Sequence, residues 1–280
     1  MLDIVTVVFR DELPILRVQA ESIDLYCQDI GIQTIFVIVN DDDSIVDQID
    51  PSWWGSLCNR VRIIPRSYFN CGFVENGWVS QQALKMLGSS LSTNQYSMVL
   101  DAKTILIQPI KLDQLFDSVQ RLCVGIMPIV DVFAPAQQIV NQLFDIELEG
   151  VAGPAGVPFY FNNALLNSMI EYLSYKTNQN FAEWFQAQGM LTEFILYTGY
   201  VKHHLGDLSL AYDVNYNYGV CNVCHSEVAR YDDKLKEMSI PNKLTVSIHR
   251  RAWTQLDDKQ KTDYRNLLTS RNIKTAGDLK

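Results

Sequence analysis

The chain has 280 residues, of which 48% are hydrophobic and 20% are charged, and its net charge is −9. This composition is typical of a folded globular protein and excludes disorder, collagen-like repeats and low-complexity sequence. A negative chain is poorly suited to hold nucleic acid or an anionic membrane by bulk charge. Any phosphate it binds would need a local positive site.

The N-terminal residues, 1–5, lack the basic flank and small-residue cleavage site of a signal peptide, and no apolar run approaches the roughly 18 residues of a spanning helix. Six cysteines are too few for a disulfide scaffold in a chain of this length, which favours free thiols. We therefore predict a cytoplasmic protein with no membrane insertion and no nucleic-acid partner.

Strand and helix patterns alternate through the first half of the chain. Strands are predicted at 3–9, 34–39, 61–64 and 96–100, helices at 12–27, 77–87 and 112–122, and a further strand over 123–127 is left open. Strand, helix and strand in succession form βαβ units. The pattern predicts a three-layer α/β/α fold with a mostly parallel, Rossmann-like sheet.

The second half is less regular and predicts a mainly helical C-terminal portion. Helices are expected at 164–175, 181–188, 193–205 and 257–270, with Thr192 as the N-cap of the third, and a strand at 244–248. The Gly- and Pro-rich stretch 150–158 is expected to be a lid or a plain connection. No segment is long enough to separate two domains, so we expect a single domain over 1–280.

Polar side chains stand where the predicted strands end. They are Arg10-Asp11, Asn40-Asp41, Arg66 and Asp101-Ala102-Lys103. Ligands of open α/β sheets bind outside the carboxyl ends of the strands, where the loops converge. The sequence therefore predicts a binding site at this edge of the sheet.

Cys221-Asn-Val-Cys224-His225 matches the signature for covalent haem attachment. Such haem needs export, for which the sequence carries no signal, and a zinc site would need about four ligands, with no second Cys pair at a usable spacing. Ordinary buried or loop cysteines are the favoured interpretation.

Several segments, in this order along the chain, resemble the GT-A-type glycosyltransferases. They are the N-terminal strand, the strand ending in Asn40-Asp41, Gly77-Trp78-Val-Ser-Gln81-Gln82-Ala-Leu-Lys85, Tyr96-Ser-Met-Val-Leu-Asp101-Ala-Lys103-Thr104, Thr192-Glu193-Phe-Ile-Leu-Tyr197, and Ser247-Ile-His249-Arg250. More narrowly, they resemble an uncharacterised bacterial and phage group of that fold. The resemblance implies a nucleotide-sugar half over about 1–130 and an acceptor-side half over about 131–280.

The resemblance also implies roles for individual residues. The first strand end, Thr6 to Arg10, and Asn40-Asp41 would surround the base and ribose of a UDP- or GDP-linked sugar. Gln81, Gln82 and Lys85 lie near one helix face by the i, i+3 and i+4 rule, so that Lys85, together with Arg66, would reach the diphosphate or the sugar. Glu193, at a helix start, would be the base that takes the acceptor proton in an inverting reaction.

Position 103 departs from the pattern of the resembled enzymes. Their Asp-x-Asp element holds Mn²⁺ or Mg²⁺ with two carboxylates, whereas this chain has Asp101-Ala102-Lys103. An ammonium beside Asp101 would compete with a divalent cation. Lys103, with His249, Arg250 or Arg251, would then stabilise the leaving diphosphate in place of a metal.

The sequence thus predicts a glycosyltransferase without a bound metal, acting on a nucleotide sugar and a glycan acceptor. One alternative is a nucleotidyltransferase, which is disfavoured because Phe9-Arg10-Asp11-Glu12-Leu13-Pro14 lacks the glycines of a phosphate loop. A second is an inactive carbohydrate- or nucleotide-sugar-binding protein on the same fold, which the altered Asp101-Ala102-Lys103 keeps open.

Overall fold

The computed structural model describes residues 2–152, 157–214, 219–241 and 243–279. The strands are β1 (Leu2–Val8), β2 (Ile32–Val39), β3 (Val61–Ile64), β4 (Tyr96–Asp101), β5 (Ile105–Leu106), β6 (Leu122–Cys123), β7 (Ile126–Pro128), β8 (Gly150–Ala152), β9 (Phe159–Asn162), β10 (Tyr212–Asp213), β11 (Val220–Val223) and β12 (Thr245–Ile248). The helices are α1 (Leu13–Tyr26), α2 (Gly77–Ser90), α3 (Leu112–Leu115), α4 (Ala134–Phe144), α5 (Asn163–Thr177), α6 (Phe181–Ala187), α7 (Glu193–Leu205), α8 (Tyr231–Met238), α9 (Arg250–Trp253) and α10 (Asp258–Ser270).

The central sheet has the strand order β3-β2-β1-β4-β9. The first four strands are parallel and β9 runs antiparallel to β4. All seven residues of β1 are buried, which is why its sequence is almost continuously apolar instead of alternating. The predicted α/β fold with a mostly parallel sheet is confirmed.

The sheet reverses its direction of growth at β1. From β1 the chain passes through α1 to β2 and then to β3, on one side of β1. It then returns through α2 to β4, on the other side of β1. Right-handed crossovers place these two helices on opposite faces of the sheet. Such a switch point opens a crevice between neighbouring strand ends, here those of β1 and β4, where Val7 is paired with Asp101.

A second, smaller apolar cluster lies beside the main core. The sheet β11-β12-β5 contributes Cys221, Val246 and Ile105 to it. Helix α1 is shared between the clusters, because Leu16 belongs to the main core and Val18 to the smaller one. The C-terminal elements are thereby attached to the helix that follows β1.

The predicted helix over 112–122 is wrong beyond its first turn. The Asp117 carboxylate accepts hydrogen bonds from the backbone N–H of Val119 and Arg121, at 3.0 and 2.7 Å, and Gln120 adopts a left-handed conformation. A short acidic side chain that captures backbone amides in this way competes with the helix. The chain turns back instead, and β6 follows.

The start of α7 agrees with the prediction. Thr192 Oγ1 accepts a hydrogen bond of 3.3 Å from the Ile195 N–H, and Glu193 is the first helical residue. By contrast, helices α4 and α8 and strands β5 and β11 have no counterpart among the predicted elements.

The predicted lid or connection over 150–158 begins with β8, and its residues 153–156 lie outside the described part of the chain. Within the part that the structure describes, no helix combines the length and the apolar character needed to cross a bilayer.

Candidate active site

The loop after β4 presents Asp101 and Lys103 at the switch point. Its turn is closed by a 2.8 Å hydrogen bond from the Thr104 N–H to the Asp101 carbonyl oxygen. Gln19 of α1 also holds the turn, because its Nε2 donates to the carbonyl oxygens of Asp101 and Thr104 at 2.6 and 3.0 Å. The Lys103 ammonium folds back onto its neighbour, with 2.5 Å between Lys103 Nζ and Asp101 Oδ2.

Lys85 reaches the other oxygen of the same carboxylate from α2. Its Nζ lies 2.8 Å from Asp101 Oδ1 and 2.9 Å from Glu193 Oε1, and its side chain is only 4% exposed. It also lies 5.2 Å from the ring centroid of Phe194, a cation–π distance. A buried ammonium is thus held between two carboxylates that come from different elements.

The charges in this cluster shift one another's titration. Burial alone would lower the pKa of Lys85, but Asp101 and Glu193 outweigh it and raise that pKa. Burial would likewise raise the pKa of Asp101, yet the ammonium groups of Lys103 and Lys85 hold it well below its ordinary range. For Glu193 burial dominates, so its pKa is raised even with Lys85 beside it.

Gln82 and Trp78 extend the cluster along α2. The hydrogen-bond network orients the Gln82 amide so that its nitrogen donates to both oxygens of Glu193 and its oxygen accepts from Trp78 Nε1 at 3.0 Å. Gln81 lies at the margin, with 3.5 Å between its Nε2 and Asp101 Oδ1. The predicted face of Gln81, Gln82 and Lys85 therefore does converge on Asp101 and Glu193.

The two partners of the Asp101–Lys103 ion pair line different cavities. The first, about 160 Å³ in volume, is lined by Trp78, Gln82, Lys85, Asp101, Ile129, Val130, Phe133, Val151, Thr192, Glu193, Phe194 and Ile195. The second, about 380 Å³, is lined by Asp11, Glu12, Pro14, Ile15, Lys103, Ile248, Arg250, Trp253, Tyr264, Asp278 and Leu279. Asp101 faces the first cavity and Lys103 the second.

The residues predicted to surround the base and ribose either lie apart from this cluster or have side chains that are buried or hydrogen-bonded within the protein. Thr6 is fully buried inside β1, which leaves it no surface to offer a ligand, so the prediction for this residue is not retained. The Asn40 side chain joins β2 to α2: it donates to the Gly77 carbonyl oxygen at 3.1 Å and accepts from Ser80 Oγ at 3.0 Å.

Arg10 and Asp41 lie together at the exposed rim. The Arg10 N–H donates to Asp41 Oδ2 at 3.1 Å, and the Arg10 guanidinium donates to Ser44 Oγ at 3.2 Å. Arg66, after β3, lies over the Phe73 ring, with its Cζ 5.7 Å from the ring centroid. Among the described residues, no hydrogen bond or ion pair joins the Arg66 side chain to the Asp101 cluster.

The end of β12 contributes Arg250 and His249. Arg250 lines the larger cavity, and its Nη1 lies 2.9 Å from Asp11 Oδ2, in an exposed ion pair. Burial first, and then the charge of Lys103, lower the pKa of His249. Both effects favour the neutral imidazole, so Lys103 and Arg250 are the better candidates for positive charge at this strand end.

Trp78 and Glu12 were missed as site residues. Trp78 stands four residues before Gln82, so the i, i+4 spacing would have placed both on one helix face. Glu12 follows the end of β1, and its Oε2 accepts from the Phe9 N–H at 3.3 Å. Burial raises the pKa of Glu12, although Lys103 counteracts it. Only the fold brings Glu12 near Lys103.

The residues around Asp101 do not fit a divalent cation. Both of its carboxylate oxygens are paired with ammonium groups, and an ammonium has no lone pair to donate. Among the described residues, no three His, Cys, Asp or Glu side chains are grouped as metal ligands. The two cysteines of the haem-like motif lie in different environments, since Cys221 is buried and Cys224 is exposed.

Comparison with known proteins gives this geometry a context. Residues 4–243 match a family of unknown function (DUF6492). The chain belongs to that family. Among proteins with curated descriptions, none matches it.

Solved structures of similar fold include glycosyltransferases. The galactosyltransferase LgtC, in complex with donor and acceptor sugar analogues, shares 12% identity at a TM-score of 0.51, over 96% of this chain and 95% of its own. The bifunctional glycosyltransferase WbbM, in its apo form, shares 10% identity at a TM-score of 0.50, over 95% of this chain and 49% of its own. At such low identity the similarity shows the fold alone, and that fold is GT-A-like.

Proposed function

We propose that this family member is a glycosyltransferase that moves a hexose from a nucleoside diphosphate to a hydroxyl acceptor without a bound metal. The observation that carries the proposal is the Asp101 carboxylate held between Lys85 and Lys103 at the switch point of a GT-A-like sheet. Two ammonium groups take the oxygens that a divalent cation would need.

The leaving group decides where positive charge is required. When the bond between the anomeric carbon and the phosphate oxygen breaks, negative charge develops on the departing diphosphate, and preorganised cations stabilise it. Lys103 and Arg250 both line the larger cavity, which supports that cavity as the site of the diphosphate. The Lys103 side chain is 20% exposed and lines this cavity.

Glu193 is proposed as the base. In the transfer, the acceptor oxygen forms a bond to the anomeric carbon and loses its proton, and the diphosphate leaves with the electron pair of the broken bond. Glu193 lines the smaller cavity, and its raised pKa gives a carboxylate that is more basic than an ordinary glutamate. Attack from the side opposite the leaving group would invert the anomeric centre.

Substitution of Glu193 by Gln tests the base. The amide keeps the size of the side chain but cannot take a proton, so turnover should fall by about 10²–10⁴-fold while nucleotide-sugar binding persists. The measurement is release of nucleoside diphosphate, with binding followed by thermal shift. Turnover of Glu193→Gln near that of the wild type would remove Glu193 from the mechanism.

A thermal-shift screen tests the substrate class directly. UDP- and GDP-linked sugars that bind only the folded state should raise the melting temperature with concentration, by mass action. Lys103→Ala should weaken that shift for every diphosphate ligand, whereas Lys236→Ala, an exposed lysine of α8, should not. If nucleotide sugars shift the melting temperature but none is turned over, the chain is a binding protein on this fold.

A further inference from the structure

The smaller cavity has room for only a small part of a nucleotide sugar. Its volume is about 160 Å³, whereas sites for drug-sized ligands are roughly 300–1,000 Å³. A whole nucleotide sugar cannot fit in this space. If the diphosphate occupies the cavity on the Lys103 side, what remains for the smaller cavity is one ring next to Asp101 and Glu193.

The lining of this cavity is apolar at the mouth and polar at the floor. Trp78 and Val130 are 39% and 50% exposed, which places them at the mouth, whereas Glu193 and Lys85 are almost fully buried and form the floor. Apolar walls with a few convergent polar groups are typical of small-molecule sites. A hexopyranose has the same division, with an apolar C–H face and a rim of hydroxyl groups.

The geometry points to a hexopyranose site in which the C–H face of the ring lies on the Trp78 indole and its hydroxyls reach Glu193 and Gln82. This assignment rests on the proposed function only for the source of the ring, which is the donor's sugar or the acceptor's. Aromatic faces bind such rings through their large apolar area. The Trp78 indole would therefore select for a ring with a continuous C–H face.

Trp78 is also connected to the proposed base. Its Nε1–H donates to the Gln82 amide oxygen at 3.0 Å, and the Gln82 nitrogen donates to the Glu193 carboxylate. Because the indole N–H fixes the amide, it fixes which end of Gln82 faces Glu193. Trp78 is thus a positioning residue for Glu193 as well as a wall of the cavity.

Indole N–H signals give a direct test in the intact protein. The chain has five tryptophans, so a ¹H–¹⁵N spectrum has five indole peaks, and Trp78→Phe identifies the peak of Trp78 by its loss. Trp53→Phe identifies a control peak, since Trp53 lines neither cavity. The probes are UDP, GDP, UDP-glucose, UDP-galactose, GDP-mannose, and the methyl glycosides of glucose, galactose and mannose with and without UDP or GDP.

The expected result is a shift of the Trp78 peak, and not of the Trp53 peak, with at least one probe that carries a hexose. A shift with nucleotide sugars alone assigns the ring to the donor, and a shift with a methyl glycoside assigns it to the acceptor. If UDP or GDP shifts the Trp78 peak as much as its sugar derivatives do, or if no probe shifts it, the inference is overturned. The melting temperature with UDP and GDP reports separately on the proposed function.

Two substitutions distinguish the role of Trp78 as a wall of the cavity from its role in positioning Glu193. Trp78→Phe keeps an aromatic face but loses the indole N–H, so it should lower kcat by about tenfold, the effect of one lost hydrogen bond, with little change in KM. Trp78→Leu loses both and should also raise KM for the substrate that supplies the ring. Equal kinetic effects of the two substitutions, confined to KM, would contradict the positioning role.

Discussion

At the scale of single residues, Lys85 holds the site together. It is the cation shared by Asp101 and Glu193, which come from the end of β4 and the start of α7. Removing one partner of a buried ion pair leaves an uncompensated charge, which costs more than the pair itself contributes. Folding and the proposed chemistry therefore depend on the same ammonium.

Lys85→Met should strongly destabilise the protein. Methionine keeps much of the volume but leaves the buried Glu193 without its cation and Asp101 with Lys103 alone, so we expect a loss of about 3–5 kcal/mol in the free energy of unfolding. Chemical denaturation measures it. The matched control is Lys236→Met, which removes an exposed ion pair with Asp233 and should cost less than about 0.5 kcal/mol. Equal losses in the two variants would contradict the buried-cation account.

The lowered pKa of Asp101 predicts a pH dependence of stability. A carboxylate whose pKa is lower in the folded state stabilises fully above its unfolded pKa, near 3.9, and this stability is lost as the pH falls toward the folded value. Asp101→Asn lacks this contribution. The difference in unfolding free energy between wild type and Asp101→Asn should therefore narrow between pH 5 and pH 3. A difference that stays constant from pH 7 to pH 3 would refute the lowered pKa.

At the scale of elements, the sequence predicts best where one local signal decides. The start of α7 follows from Thr192 as N-cap, and β1 follows from an unbroken β-branched run. The prediction of a helix over 112–122 is wrong because Asp117 accepts hydrogen bonds from two backbone N–H groups, which the spacing of apolar residues does not indicate. Periodicity does not register such side-chain competition.

Helix α7 can approach α4 closely because Gly199 has no side chain. A Cβ at this position would lie 2.1 Å from Val140 Cγ1, on a stiff β-branched side chain. Gly199→Ala should therefore destabilise the fold by about 1–2 kcal/mol, although alanine favours helix. Gly277→Ala, where a Cβ meets nothing within 4 Å, should change the unfolding free energy by less than about 0.5 kcal/mol. A neutral Gly199→Ala would show that the helices are free to separate.

At the scale of the whole molecule, the sequence indicates which strand ends carry polar groups but not which of them meet. Asp101, Lys103, Lys85 and Glu193 do come together, because α2 and α7 both pack at the end of β4. Thr6 and Asn40, at neighbouring strands, are instead taken up by the core and by the junction with α2. Burial and hydrogen-bond partners are properties of the assembled fold, so a pattern along the chain does not contain them.

The most direct test of the central claim is nucleoside diphosphate release from UDP- and GDP-sugars in excess EDTA. If the Lys103 ammonium stabilises the leaving diphosphate in place of a divalent metal ion, the wild type should keep its turnover in EDTA and gain nothing from Mn²⁺. Lys103→Ala should lose about 10²–10³-fold, and Lys103→Arg, which keeps the charge, should retain most of the activity. Loss of wild-type turnover in EDTA, with recovery on adding Mn²⁺, would contradict the claim.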